Sequence, residues 1–156
     1  MLIAVLLPLY PLLYEGEPLP HRDLVAAQSD LEIVQALSQE ALQKNERVLF
    51  IGQRHLLTFH LIKPVPFEPN YELLELMEMA MSDNRDYLEQ FYQDLRKHTF
   101  GLIITDPQPA EYKDPTFSFP EENNVWLEKV TTPLLEYYQL FDHLTASGVQ
   151  IYVPRE

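Results

Sequence analysis

Two stretches of this chain carry reactive side chains directly after an apolar run. Arg47-Val-Leu-Phe-Ile51 leads into Gly52-Gln53-Arg54-His55, and Phe100-Gly-Leu-Ile-Ile-Thr105 leads into Asp106-Pro107. Ligands in open α/β sheets gather beyond the carboxyl ends of the strands. Gln53, Arg54, His55 and Asp106 are therefore the candidate ligand-binding residues. Arg54 has the charge to hold an anion. A nucleotide or S-adenosylmethionine site needs several glycines after its first strand, so that backbone amides can approach the ligand. Gly52 stands alone there, and the ordinary reading of this segment is a strand-to-helix turn. From Asp106 to Pro120 the chain holds four prolines. That is long for an unstructured loop in a small domain, which marks the segment for a role.

Other chemistry is weakly marked. His21, His55, His60, His98 and His143 lack the i, i+4 or HExxH spacing that sets two imidazoles on one helix face, so no metal is expected. Glu72, Glu75, Glu78, Asp83, Asp86 and Glu89 describe a solvated helix face better than an acid/base pair. Met77, Met79 and Met81 read as packing. The serines form no nucleophile elbow, no catalytic residue is assigned, and no cofactor is implied.

These residues need elements to position them. Helical spacing of Leu31, Val34, Leu37, Ala41 and Leu42 predicts an amphipathic helix whose main part Ser29 or Asp30 can cap. The continuous apolar runs 47–51 and 100–105 predict buried strands. Gln53 to Ile62 fits a helical turn or a short strand, and Lys63 to Pro69, with three prolines, predicts an extended loop. Tyr71 to Met81 and Asn84 to His98 predict helices, with Ser82 or Asp83 as a cap between them. From Glu121 a helical pattern runs through Trp126, Val130, Leu134, Leu135, Tyr138 and Phe141, bent or restarted at Pro133, and Gly148 ends it. Val149 to Val153 predicts a third strand. Helix–strand alternation implies parallel pairing with right-handed crossovers. The expected fold is α/β: a Rossmann-like three-layer domain over residues 21–156, with a small, mainly parallel sheet flanked by helices.

Charge narrows the partners. Eleven Lys and Arg against twenty-four Asp and Glu give a net charge of -13, which repels a phosphate backbone, so nucleic acid is excluded as a partner. The absence of cysteine removes disulfides and thiol chemistry without fixing a compartment. Residues 1–20 form an apolar lead-in and a Pro-rich connector. Leu2 to Tyr14 is shorter than the roughly 20 residues a membrane helix needs and lacks the marks of a cleaved signal. It reads as a buried strand, as the trailing end of a transmembrane helix, or as a degenerate signal.

Two resemblances add to this reading. Phe100 to Pro109 resembles the strand-to-loop segment of amino-group methyltransferases, whose Asp/Asn-Pro-Pro-aromatic motif holds the target amine; here Gln108 replaces the second proline and no aromatic residue follows directly. Arg47-Val-Leu-Phe-Ile-Gly-Gln-Arg-His-Leu-Leu-Thr-Phe59, Glu75-Leu-Met-Glu-Met-Ala-Met81, Gly101-Leu-Ile-Ile-Thr105, Glu122-Asn-Asn-Val-Trp126 and Gly148-Val-Gln-Ile-Tyr-Val-Pro-Arg155 resemble the C-terminal soluble region of large bacterial, cyanobacterial-type multi-pass glycosyltransferase-like membrane proteins. The second resemblance implies a non-catalytic accessory domain on the extracytoplasmic side. Its partner would be the membrane-embedded remainder of the same polypeptide, and its role recognition of a glycan or lipid-linked sugar. The first implies a free-standing Rossmann-like transferase that uses the loop after Asp106.

Overall fold

Successive residues of the first strand bury into two different cores, and the rest of the fold follows from that alternation. The computed structural model describes residues 23–156; the lead-in 1–20 and His21 lie outside the described residues. Helix α1 (Leu24–Gln43) precedes strand β1 (Arg47–Ile51), which is followed by the short α2 (His55–Thr58). A 3-10 turn (Pro69–Tyr71) then leads to α3 (Leu73–Met81), α4 (Arg85–Arg96) and β2 (Phe100–Thr105). A long helical stretch comprises α5 (Pro120–Trp126), a π-helical turn (Leu127–Thr131) and α6 (Thr132–Tyr137), and the hairpin β3 (Tyr138–Leu144) and β4 (Val149–Pro154) closes the chain.

The strands form one mixed sheet in the order β1-β2-β4-β3. β1 and β2 are parallel, as strand–helix–strand order predicts. β4 pairs antiparallel with both β2 and β3, so the mainly parallel sheet is corrected to a mixed one. The cause is the segment Tyr138–Leu144, read from its apolar spacing as the end of a helix but folded as a strand. A four-residue turn then suffices to reach β4, with Gly148 (φ 74°) closing a hairpin instead of ending a helix. Parallel pairing would need a long crossover there.

Val48, Phe50, Leu102, Ile104 and Ile151 join Val34 and Ala41 of α1 in one core, whereas Leu49, Ile51, Ile103 and Tyr152 join Leu76, Phe91, Leu95, Trp126 and Leu134 in the other. Burying each such side chain contributes about 1.5–3 kcal/mol. Asp23, and not Ser29 or Asp30, caps α1 by accepting from the amides of Val25 and Ala26. Asp30 instead accepts from the amide and hydroxyl of Ser147 in the hairpin turn, which ties the amino end of α1 to the turn. Asn84, and not Ser82 or Asp83, caps α4. Pro133 breaks the long helix only to the extent of a π turn. The carbonyl of Lys129, four residues before it, accepts from the Tyr92 hydroxyl at 3.0 Å, which replaces the amide a proline lacks.

Candidate functional site

The carboxyl ends of β1 and β2 lie side by side, Ile51 opposite Thr105. The next residues therefore meet. Gly52 turns with φ 80°, and the Gln53 side chain folds back, 3% exposed, to donate from Nε2 to Asp106 Oδ1 at 2.6 Å. A Cβ at Gly52 would overlap the Asp106 carboxylate, so glycine is required there both for its dihedral and for the close approach. Of the four candidates, Gln53 and Asp106 are brought together. Arg54 and His55 are exposed and turn elsewhere. The Arg54 guanidinium sits 5.2 Å from the centre of the Phe67 ring, along a separate groove with Leu57, His60 and Pro64, and His55 opens α2.

The open site lies on the other side of Asp106. A cleft of about 490 Å³ is lined by Asp106, Pro107, Gln108, Pro109 and Lys113 from the loop, by Leu73 and Met77 from α3, and by Glu122, Asn123 and Trp126 from α5. Gln108 holds its wall. Its Nε2 donates to Thr105 Oγ1 (2.8 Å) and to the Asp106 carbonyl (2.9 Å). Its Oε1 accepts from Trp126 Nε1 (2.8 Å) and Thr131 Oγ1 (3.0 Å). Both donors and both lone pairs of the carboxamide are thus engaged. The Gln108 amide donates to Gln150 Oε1, which also accepts from the Tyr152 hydroxyl. Burial raises the Tyr152 phenol above its ordinary pKa.

The loop is pinned at a second point. Asn124 Oδ1 accepts from the Lys113 amide at 2.7 Å while its Nδ2 donates to the Lys113 carbonyl at 2.8 Å, and Asn123 Nδ2 donates to the Glu111 carbonyl. Pro120 opens α5, where a missing N–H costs nothing. Gln108, Asn123, Asn124 and Trp126 carry the site, yet the sequence marked Gln108 only as a departure from a motif, the two asparagines only as members of a shared run, and Trp126 only through that run and a helical pattern. The available signal was the concentration of carboxamides flanking a proline-rich loop. Among the described residues no group of three or more His, Asp or Glu is placed to hold a metal ion, and no helix is long and apolar enough to cross a membrane.

Asp106, Glu122 and the Asn123 carboxamide oxygen offer acceptors to hydroxyl-rich ligands, with Lys113 as the one cation of the lining, above an apolar floor of Leu73, Met77, two prolines and the indole. Such a combination suits a small polar ligand with one apolar face. Comparison with protein-family models, with curated proteins and with solved structures finds no match to this chain.

Proposed function

We propose that this α/β domain is a non-catalytic accessory part of a membrane-embedded glycosyltransferase-like protein, positioned on the extracytoplasmic side, and that the cleft beside Asp106 assists recognition of a glycan. The observation that carries the reading is the lining of the cleft. The Asp106 and Glu122 carboxylates and the Asn123 carboxamide oxygen can accept from vicinal hydroxyls, and an apolar floor takes the C–H face of a sugar ring. The saturated Gln108 fixes the wall without spending groups that a ligand would need. A single lysine against two carboxylates disfavours a polyphosphate, so the sugar portion of a lipid-linked donor or acceptor is what the cleft would read. The apolar lead-in supports attachment to the membrane-embedded remainder of the same polypeptide.

A second reading, a free-standing Rossmann-like transferase of degenerate methyltransferase type, draws on the cleft opening onto the loop after Asp106 at a strand carboxyl end. Immunoblots of membrane and soluble fractions separate the two. A membrane band much larger than 18.3 kDa, with saturable binding of neutral oligosaccharides by the 156-residue chain that Glu122→Ala abolishes, is the expected result. A soluble band at 18.3 kDa with S-adenosylmethionine binding would overturn the accessory-domain reading.

A further inference from the structure

Apolar side chains left in water are concentrated at one end of this domain. The carboxyl ends of β1 and β2 define that end, and the β3–β4 turn reaches it because Gln150 pairs with Thr105. The Asp30–Ser147 bonds bring the amino end of α1 there as well. Leu24 and Val25 stand in the first turn of α1, about one and a half turns of helix before Asp30, 76% and 81% exposed. Phe59 projects from the end of α2, 70% exposed, and Leu74 from the first turn of α3 beside cleft-lining Leu73. Phe117 and Phe119 cap the loop that begins at Asp106. Among the described residues Phe141, 58% exposed, lies away from this end, by Lys44, Glu46 and Gly101, with half-exposed Leu140 beside it in β3, and Tyr112, 66% exposed, stands within the loop itself.

Two further observations single out the rim. Phe119 is held at φ 52°, a left-handed conformation unfavourable for a bulky residue, with its ring in solvent. The segment that carries the apolar run Leu2–Tyr14 precedes Asp23, and Asp23 stands at this same end of the domain.

We infer that the strand-carboxyl end of the domain rests on a lipid bilayer surface, with these side chains inserted into the interface and the cleft opening toward it. Apolar tips grouped at one end but carried on separate loops and helix ends can each enter the interfacial layer of a bilayer, whereas a protein interface buries a continuous, closely packed core. With a net charge of -13 the surface would be zwitterionic, since anionic lipid repels the chain. This goes beyond glycan recognition and stands or falls separately from it.

The test uses the 156-residue chain with phosphatidylcholine vesicles carrying brominated acyl chains, and reads tryptophan quenching in Phe59→Trp, Phe117→Trp and Phe141→Trp. Buried Trp126 gives all three variants the same background. Strong quenching in the first two and none above background in the third is expected. Replacing Phe59, Phe117 and Phe119 together by serine is expected to weaken vesicle binding at least about tenfold while the circular dichroism spectrum is unchanged. Three results would overturn the inference: no vesicle binding, binding through Leu2–Tyr14 alone with Phe59→Trp and Phe117→Trp unquenched, or equal quenching at Phe141→Trp. If the native polypeptide is a membrane protein and any of these three is found, the accessory-domain reading survives and only the lipid-facing orientation falls.

Discussion

Replacing Gly52 by alanine tests how the two strand ends are joined. The new Cβ must tolerate φ 80°, at about 1–2 kcal/mol for an L residue, and it overlaps the Asp106 carboxylate. Asp106 has to move away and release Gln53, whose carboxamide is 3% exposed and would lose its charged acceptor. That loss adds about 1.5–3 kcal/mol. The expected destabilisation is therefore about 2.5–5 kcal/mol. At an m-value of about 2 kcal/mol/M, the urea midpoint falls by about 1.3–2.5 M. Asp106→Ala alone should cost about 1.5–3 kcal/mol, because it strands the same carboxamide. In the double variant the overlap is gone and only the dihedral cost is added, so the total should match Gly52→Ala instead of the sum. The coupling energy of the cycle, about 1.5–3 kcal/mol, isolates the shared contact. Simple additivity, or a Gly52→Ala variant as stable as the parent, would refute the reasoning.

Other perturbations follow from the same geometry. Gln108→Ala removes the partners of Trp126 Nε1, Thr131 Oγ1 and Thr105 Oγ1, so a loss of about 2–4 kcal/mol is expected, with a shift in Trp126 emission as the local check. Tyr92→Phe removes the hydroxyl that donates to the Lys129 carbonyl at the π turn and should cost about 0.5–1.5 kcal/mol in urea unfolding. Phe119→Gly relieves a left-handed residue and should raise stability by up to about 1 kcal/mol while weakening vesicle binding. Burial pushes the Tyr138 phenol up to about 12. Between pH about 10, where an unfolded tyrosine ionises, and 12 only the unfolded chain loses that proton, so stability is full below this window and falls as pH rises through it. Tyr138→Phe should flatten that part of the profile, followed by urea midpoints at stepped pH.

How far the fold was legible depended on how local its cause was. Val48 to Ile51 and Leu102 to Thr105 are apolar on both faces because both faces are covered, and that continuity reads directly as a buried strand. Tyr138 to Leu144 was misread because an edge strand buries only its ends. Tyr138 and Leu144 are buried while Gln139, Leu140, Phe141 and His143 are exposed, so no two-residue period appears. A bulge between Leu140 and Asp142 breaks what alternation is left. The caps failed for a related reason. Ser29 and Asp30 have the right chemistry, but Asp30 finds a better partner in Ser147, 117 residues away, and no local pattern encodes that.

The mixed sheet also moves the site. β1 and β2 are themselves parallel, and the crevice beyond their carboxyl ends is where Gln53 and Asp106 were expected to receive a ligand. Here those two residues bond to each other and close it. Because β4 runs the other way, its first residues, and not its last, lie beside Thr105, and Gln150 is delivered to the amide of Gln108. Gln108 then fixes Trp126 and Thr131 at the two ends of the π turn, and the space left between the loop and α5 becomes the cleft. A strand direction set by the short β3–β4 turn thus decides which side of Asp106 is open. Asp106 was legible from its place after a strand; the groups that face it across the cleft, Glu122 and Asn123, depend on a reversal some thirty residues further along the chain.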